Sequence, residues 1–294
     1  MKKWIHAARL RTLPLALSVG VLAISVCNNY SMNAVRIGLL LLTIILLQVL
    51  SNFANDYGDF MNGADGELRS GPFRQVQSGN ISAASMKVAI WLTAVMAFFS
   101  GLSLLALSDI SWVEIIVFVS IGLLSIWAAI RYTAGENPYG YKSLGDLAVF
   151  LFFGPIGMIG SAYVLTSELV ITSIPASLFT GCISVMVLNL NNLRDESSDR
   201  ISGKITMVVR FGQSVGRRYH FILFLLATMG ALFMAAEVST ICLFVDAGFM
   251  LFIYGNQRLV WSHDFQQFDI KMKPLALSAF SFSLLQVLLH NFTL

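Results

Sequence analysis

The sequence predicts an all-α, polytopic membrane protein of about nine transmembrane helices, with its N-terminus in the cytoplasm. Three observations carry this. Only 12% of the 294 residues are charged and 56% are hydrophobic, whereas soluble chains carry about 25% charged residues. Nine segments approach the roughly 20 apolar residues that a bilayer-crossing helix needs: 13–29, 35–55, 84–107, 111–130, 144–165, 169–192, 217–236, 239–257 and 273–292. The basic residues are one-sided. With the N-terminus inside, segments 1–12, 56–83, 131–143, 193–216 and 258–272 are cytoplasmic. These and the adjoining helix ends hold 18 of the 19 Lys and Arg, Arg36 being the exception. Such a bias orients membrane proteins. The composition excludes a water-soluble globule. A lipid bilayer is the expected surrounding, and no nucleic-acid partner is expected.

Taken in order, the first segment follows "MKKWIHAARLRT", which is basic, and has no small-residue cleavage site after it. It reads as a retained helix rather than a signal peptide. The second runs into "NFANDYGDFMNGAD". The third and fourth are joined by "ALSDISW" and the fifth opens on "SLGDLAV". The sixth runs into "NLNNLRDESSDRISGK", and the seventh and eighth are joined by "AAEVST". The eighth contains Asp246, and an acid inside a span is a functional candidate by default. The outside links are short and nearly free of basic residues, so any chemistry belongs to the longer cytoplasmic loops. Cys27, Cys182 and Cys242 show neither paired nor metal-type spacing and read as free, structural thiols. The whole chain, 1–294, reads as one domain.

Two polar clusters stand out. Asn52, Asn55, Asp56 and Asp59 follow steps of three and four, which places them on one helix face, with Asp65 beyond Gly63. Asn191, Asp195 and Asp199 are spaced i, i+4, i+8 at the end of the sixth segment, with Asn192 three before Asp195. Both clusters end their helices on the cytoplasmic side, about 140 residues apart. That hints at a duplicated half, spans one to four and five to eight, with span nine added. Carboxylates grouped in this way repel one another unless a cation holds them. Hard oxygen donors with no His or Cys nearby suit Mg²⁺, which is held by one or two carboxylates plus substrate phosphates. Two facing stripes would bind a diphosphate through bridging metals. Arg69, Arg74, Arg194, Arg200, Lys204 and Arg210 accompany the acids. Arg74 and Lys204 are the candidates for phosphate contacts, and cytoplasmic anchoring accounts for others.

Together these residues resemble the UbiA superfamily of intramembrane aromatic prenyltransferases, over nearly the whole chain. The stretches that carry it are "RLRTLPLALS", "SNFANDYGDFMNGAD", "GPFRQVQSG", "PYGYKSLGDLAVFLFFGP" and "NLNNLRDESSDRISGKITMVVRFG". The family's first motif is N-D-x-x-D-x-x-x-D. Asn55, Asp56 and Asp59 match it, but position 63 is Gly and the third acid is Asp65. In this departure the chain looks like the branch that acts on 1,4-dihydroxy-2-naphthoate. A Tyr-x-x-x-Lys element of other members is not intact, since Tyr132 is followed by Glu136. Tyr139, Tyr141 and Lys142 lie near as substitutes.

The resemblance implies Mg²⁺-dependent transfer of a polyprenyl group from polyprenyl diphosphate to 1,4-dihydroxy-2-naphthoate, with decarboxylation, giving demethylmenaquinone. It implies catalytic carboxylates at Asp56, Asp59, Asp195 and Asp199, and metal held by Asn55, Asp59, Asn191, Asp195 and Asp199. Arg74, Lys204, Tyr141 and Lys142 would contact substrate, Asp146 would handle the aromatic acceptor, and Tyr57 could offer an aromatic face to an allylic cation. A naphthoquinone pathway implies a bacterial inner membrane with the site on its cytoplasmic side. The alternatives are another acceptor, such as 4-hydroxybenzoate, and more distantly a secondary transporter. Transporters place ion sites near the bilayer midplane, whereas here only Asp246 is deep.

Overall fold

The computed structural model describes residues 2–63 and 74–292. Among the described residues nine helices are long and apolar enough to cross a membrane. We number them α1 (Lys2–Val26), α2 (Ala34–Met61), α3 (Ala83–Ala106), α4 (Trp112–Arg131), α5 (Gly145–Thr166), α6 (Ser173–Ile201), α7 (Gln213–Ala236), α8 (Thr240–Trp261) and α9 (Phe268–His290). The apolar runs mark these spans, but two helices outlast their runs. α2 continues through Asp59 and α6 through Asp199. Hydropathy falls where the chain leaves hydrocarbon, yet the backbone hydrogen bonding continues, so both acidic clusters lie on the last turns of helices.

Two spans are broken. In α1 a short 3-10 turn, Leu10–Thr12, separates Lys2–Ala8 from Leu13–Val26. Arg9, before the turn, has a left-handed backbone (φ 49°). In α5 Pro155 has no N–H to give, and Pro155–Ile159 forms a π turn, a feature common at functional sites. Gly154, just before it, crosses α6 so closely that a Cβ there would come within 2.8 Å of the Ser177 carbonyl oxygen.

α6 is the central helix. It packs with α1, α7 and α9 around a core that includes Phe179, Met186, Leu190, Ala227 and Phe282. A second core joins α2 and α3 through Leu50, Phe53, Ala54, Met86 and Ile90. Loops meet at one end of the bundle. The Ser143 amide donates to the Ile205 carbonyl at 2.7 Å and the Ile205 amide to the Tyr141 carbonyl at 3.0 Å. This joins the α4–α5 link to the α6–α7 link at the end where both acidic stripes terminate.

Gly58 illustrates how tightly that end is assembled. A Cβ on Gly58 would lie 2.5 Å from the Thr133 carbonyl carbon. Thr133 in turn donates to the Ala54 carbonyl and to Asn55 Oδ1, both at 3.1 Å. Gly58→Ala is therefore expected to push the α4–α5 link off α2, at a cost of about 1–3 kcal/mol, and to lower activity. Thermal unfolding together with an activity assay checks both effects.

Asp246 is fully buried between α8 and α9. Gln286 Nε2 donates to its Oδ1 at 2.6 Å. One turn beyond Gln286, His290 Nδ1 lies 3.0 Å from Ser25 Oγ, near the end of α1 remote from its N-terminus. The acid thus ties two helices together in the half of the bundle opposite the stripes. Asp246→Asn keeps an acceptor for Gln286 and is expected to leave prenyl transfer intact. Asp246→Leu strands the buried amide, at about 1–3 kcal/mol, read as a lower unfolding temperature.

Candidate active site

Two connected cavities occupy the space between the cores. The larger, about 680 Å³, is walled chiefly by apolar side chains of α1, α2, α4, α5 and α6, among them Leu15, Ile44, Phe118, Phe152 and Val187. The smaller, about 90 Å³, is polar and lies at the loop end. Arg9, Asn55, Tyr132, Leu188 and Asn191 line both, so the two meet at a shared mouth.

The polar cavity gathers Asn55, Asp59, Arg74, Asn191, Asp195, Asp199 and Lys204. α2 supplies Asn55 and Asp59 one turn apart, and α6 supplies Asn191, Asp195 and Asp199 on successive turns. Each carboxylate has a cationic neighbour. Arg74 pairs with Asp59, whose Oδ1 also accepts the Tyr141 hydroxyl at 2.8 Å. Arg194 forks onto Asp195, Nε to Oδ1 at 2.8 Å and Nη2 to Oδ2 at 2.6 Å, and reaches Asp269 on α9 at 2.6 Å. Lys204 Nζ stands 3.4 Å from Asp199 Oδ1. Burial opposes the Lys204 charge, but Asp199, Asp59 and Asp195 outweigh it and hold its pKa above the ordinary lysine value. A raised pKa means the ammonium is lost only as pH climbs past that value, so Lys204 stays cationic through the neutral range. Burial and then the Asp146 carboxylate push the Tyr132 phenol well above its usual range, so it remains an O–H donor.

Several expected site residues take other places. Asp56 does not point into the polar cavity. It is buried, and its Oδ2 and Oδ1 accept the backbone amides of Gln75 and Val76 at 3.0 and 3.1 Å. The α2 stripe splits because a step of one residue turns a helix by about 100°: Asn55 and Asp59 face the cavity, whereas Asp56 faces the segment that carries Arg74. Tyr57 packs against the α2–α3 core. Lys142 is exposed, and Lys204 is the lysine that lines the polar cavity. Asp146 lines neither cavity, and its Oδ1 is buried without a partner. Arg200 pairs with Glu196 in solvent, and Arg210 is exposed against Phe211. Asp65 and Arg69 lie outside the described residues. Sequence reasoning missed Arg9, Thr133 and Ser198 and gave Tyr132 and Asn192 no role in the site, yet all five complete the polar lining.

The donor set suits a hard cation. It offers three carboxylates and the amide side chains of Asn55, Asn191 and Asn192, and Asp199 Oδ2 is buried with no partner. Among the described residues no three His, Cys, Asp or Glu side chains converge closely enough to hold a metal unaided. A Mg²⁺ ion here would complete its shell with ligand oxygens and water, as that ion ordinarily does.

The model of the UbiA prenyltransferase family matches residues 15–283. The chain belongs to that family. This UbiA-family chain is a multi-pass membrane prenyltransferase, and it is similar to two bacterial proteins named 1,4-dihydroxy-2-naphthoate octaprenyltransferase. To that of Haemophilus influenzae it is 41% identical over 269 residues, covering 88% of this chain and 87% of the relative. To that of Escherichia coli it is 42% identical over 218 residues, covering 74% and 71%. The fold resembles that of a UbiA homolog from Aeropyrum pernix (TM-score 0.70, 14% identity, 95% of this chain and 97% of that one). It also resembles a UbiA homolog from Archaeoglobus fulgidus bound to GPP and Mg²⁺ (TM-score 0.66, 11% identity, 99% of each chain).

Proposed function

We propose that this chain transfers a polyprenyl group from its diphosphate to 1,4-dihydroxy-2-naphthoate, with loss of the carboxylate as CO₂, at the cytoplasmic face of a bacterial inner membrane. The observation that carries this is the shared mouth of the two cavities, one polar and cation-lined, the other larger and apolar. A prenyl diphosphate has the same division. The names of the two bacterial relatives support the acceptor. The bias of basic residues supports the orientation.

In this reading Asn55, Asp59, Asn191, Asp195 and Asp199 hold Mg²⁺. When bound, Mg²⁺ neutralises charge on the leaving diphosphate. Arg74 and Lys204 add fixed positive charge beside it, preorganised where negative charge develops. The C1–O bond of the donor breaks and its electron pair leaves with the diphosphate. The ring carbon that bears the carboxylate attacks C1 at the mouth, where Tyr132 borders both cavities. The C–COO⁻ bond then breaks, CO₂ departs, and the bonding pair restores the aromatic ring. Electron balance makes the immediate product the quinol, demethylmenaquinol. Its oxidation to demethylmenaquinone is a separate step. The apolar walls hold the tail and keep water from the allylic cation.

Two results test this. Membranes containing the protein should prenylate 1,4-dihydroxy-2-naphthoate in preference to 4-hydroxybenzoate, and a preference for the latter would reassign the acceptor. EDTA should abolish transfer, with recovery on adding excess Mg²⁺. Undiminished turnover in EDTA would remove the metal from the reading.

A further inference from the structure

We infer that Arg194 is a positioning residue that holds Asp195 as an internal counter-ion and yields it to Mg²⁺ when the diphosphate arrives, with Asp269 as the carboxylate that keeps the released guanidinium. The inference rests on the functional reading above and gives that site an order: the chain takes up the metal together with the diphosphate rather than ahead of it.

The first observation is electrostatic. Asp59, Asp195 and Asp199 line the polar cavity, but so do four cations, Arg9, Arg74, Arg194 and Lys204. Among the described residues the lining therefore carries one positive charge in excess. Such a lining repels a lone divalent cation and attracts a diphosphate. A diphosphate brings negative charge and hard oxygens of its own, and with it in place a Mg²⁺ ion is favoured. For a carboxylate to serve that ion fully, its own cationic partner must give way.

The second observation is the geometry of Arg194. It precedes Asp195 directly, and helix neighbours point about 100° apart, so the long side chain must fold back to meet it. Nε and Nη2 then take one oxygen each, at 2.8 and 2.6 Å. This fork covers the open edge of the carboxylate, the edge a metal would also use. On the other side of the same guanidinium, Nη1 reaches Asp269 Oδ1 at 2.6 Å, in the first turn of α9. The Arg194 and Asp195 side chains are 7% and 13% exposed, whereas that of Asp269 is 49% exposed. Asp269 thus faces water and does not line the cavity. Releasing Asp195 leaves Arg194 still paired, which avoids the cost of an unpartnered buried charge. The change needs side-chain torsions alone, with the Nη1–Asp269 contact as its pivot. Lys204 meets Asp199 through a single nitrogen at 3.4 Å and offers no fork, so the handover falls to Arg194 and Asp195.

The test reads metal binding directly. Mn²⁺, which shares the oxygen-donor preference of Mg²⁺, is titrated without diphosphate into the purified wild type, Arg194→Gln, Asp269→Asn and the double variant, and free Mn²⁺ is followed by EPR. The Mg²⁺ concentration for half-maximal turnover is measured on the same four proteins. Coupling between close charge pairs is worth about tenfold in affinity or more. Arg194→Gln should therefore bind Mn²⁺ alone about tenfold tighter than wild type and half-saturate at correspondingly lower Mg²⁺. Asp269→Asn leaves Arg194 with Asp195 alone and should raise the half-saturating Mg²⁺. The double variant should match Arg194→Gln, because Asp269 acts through Arg194. Arg194→Lys, which keeps the charge and loses the fork, should fall between wild type and glutamine, and it serves if the glutamine variant is unstable. Equal Mn²⁺ affinity in wild type and Arg194→Gln would overturn the inference. Additive effects in the double variant would overturn it too, by reducing both residues to net charge. Wild-type turnover that survives EDTA would overturn the metal reading and this inference together, whereas EDTA-sensitive turnover with an unmoved Arg194→Gln would overturn this inference alone.

Discussion

Asp195→Ala is expected to lower the rate of prenyl transfer by about a thousandfold, the scale seen when one preorganised electrostatic group is removed from an active site. Asp195 is the cleanest of the three cavity carboxylates to remove. Its partner Arg194 keeps a second carboxylate, Asp269, at 2.6 Å. The guanidinium is therefore not left unpaired, and the bundle should hold. Asp59 is different, because Arg74 is paired to it and buried. Breaking a buried pair costs about 3–5 kcal/mol, so Asp59→Ala mixes lost chemistry with lost stability. The measurement is turnover in membranes alongside the unfolding temperature of the purified variant. Loss of turnover at an unchanged unfolding temperature is the expected result. Turnover near wild type would show that the second stripe does not hold the diphosphate.

Asp56→Ala should fail for another reason. Asp56 stands next to Asn55 in the first motif, yet its two oxygens hold the backbone amides of Gln75 and Val76. The alanine variant leaves both amides without a partner, at about 1–3 kcal/mol each. Arg74 immediately precedes those amides, so its position over Asp59 should be lost with them. The expected phenotype is a lower unfolding temperature with a parallel fall in activity, half restored in Asp56→Asn, which retains one acceptor oxygen. An Asp56→Ala protein of native stability but no activity would return Asp56 to the catalytic group.

The fold class and the nine spans were legible because the bilayer imposes a length and a polarity on each helix, and both are written in composition. The two stripes were legible because a helix repeats every three to four residues. What the repeat does not contain is the neighbour. Asp56 and Asp59 share a broad face, and only the path of the chain near residue 75 decides that one serves the backbone and the other the cavity. Tyr57 and Lys142 were chosen as an aromatic and a cation of the right type near a motif, and packing turned both elsewhere. Lys204 reaches the site because the α4–α5 and α6–α7 links pair through Ser143, Tyr141 and Ile205, a contact between loops with no sequence period. Arg9 was hidden among the basic residues of the N-terminus, where charge alone reads as membrane anchoring. Its left-handed backbone and its place at the mouth are consequences of the α1 break.

The most direct measurement supplies membranes with Mg²⁺, a polyprenyl diphosphate and 1,4-dihydroxy-2-naphthoate labelled in its carboxyl group, and follows labelled CO₂ and prenylated product together. The account predicts that both appear in equal amounts and that EDTA or Asp195→Ala abolishes both. Prenylated product that retains the label, or transfer that proceeds unchanged in EDTA, would contradict it.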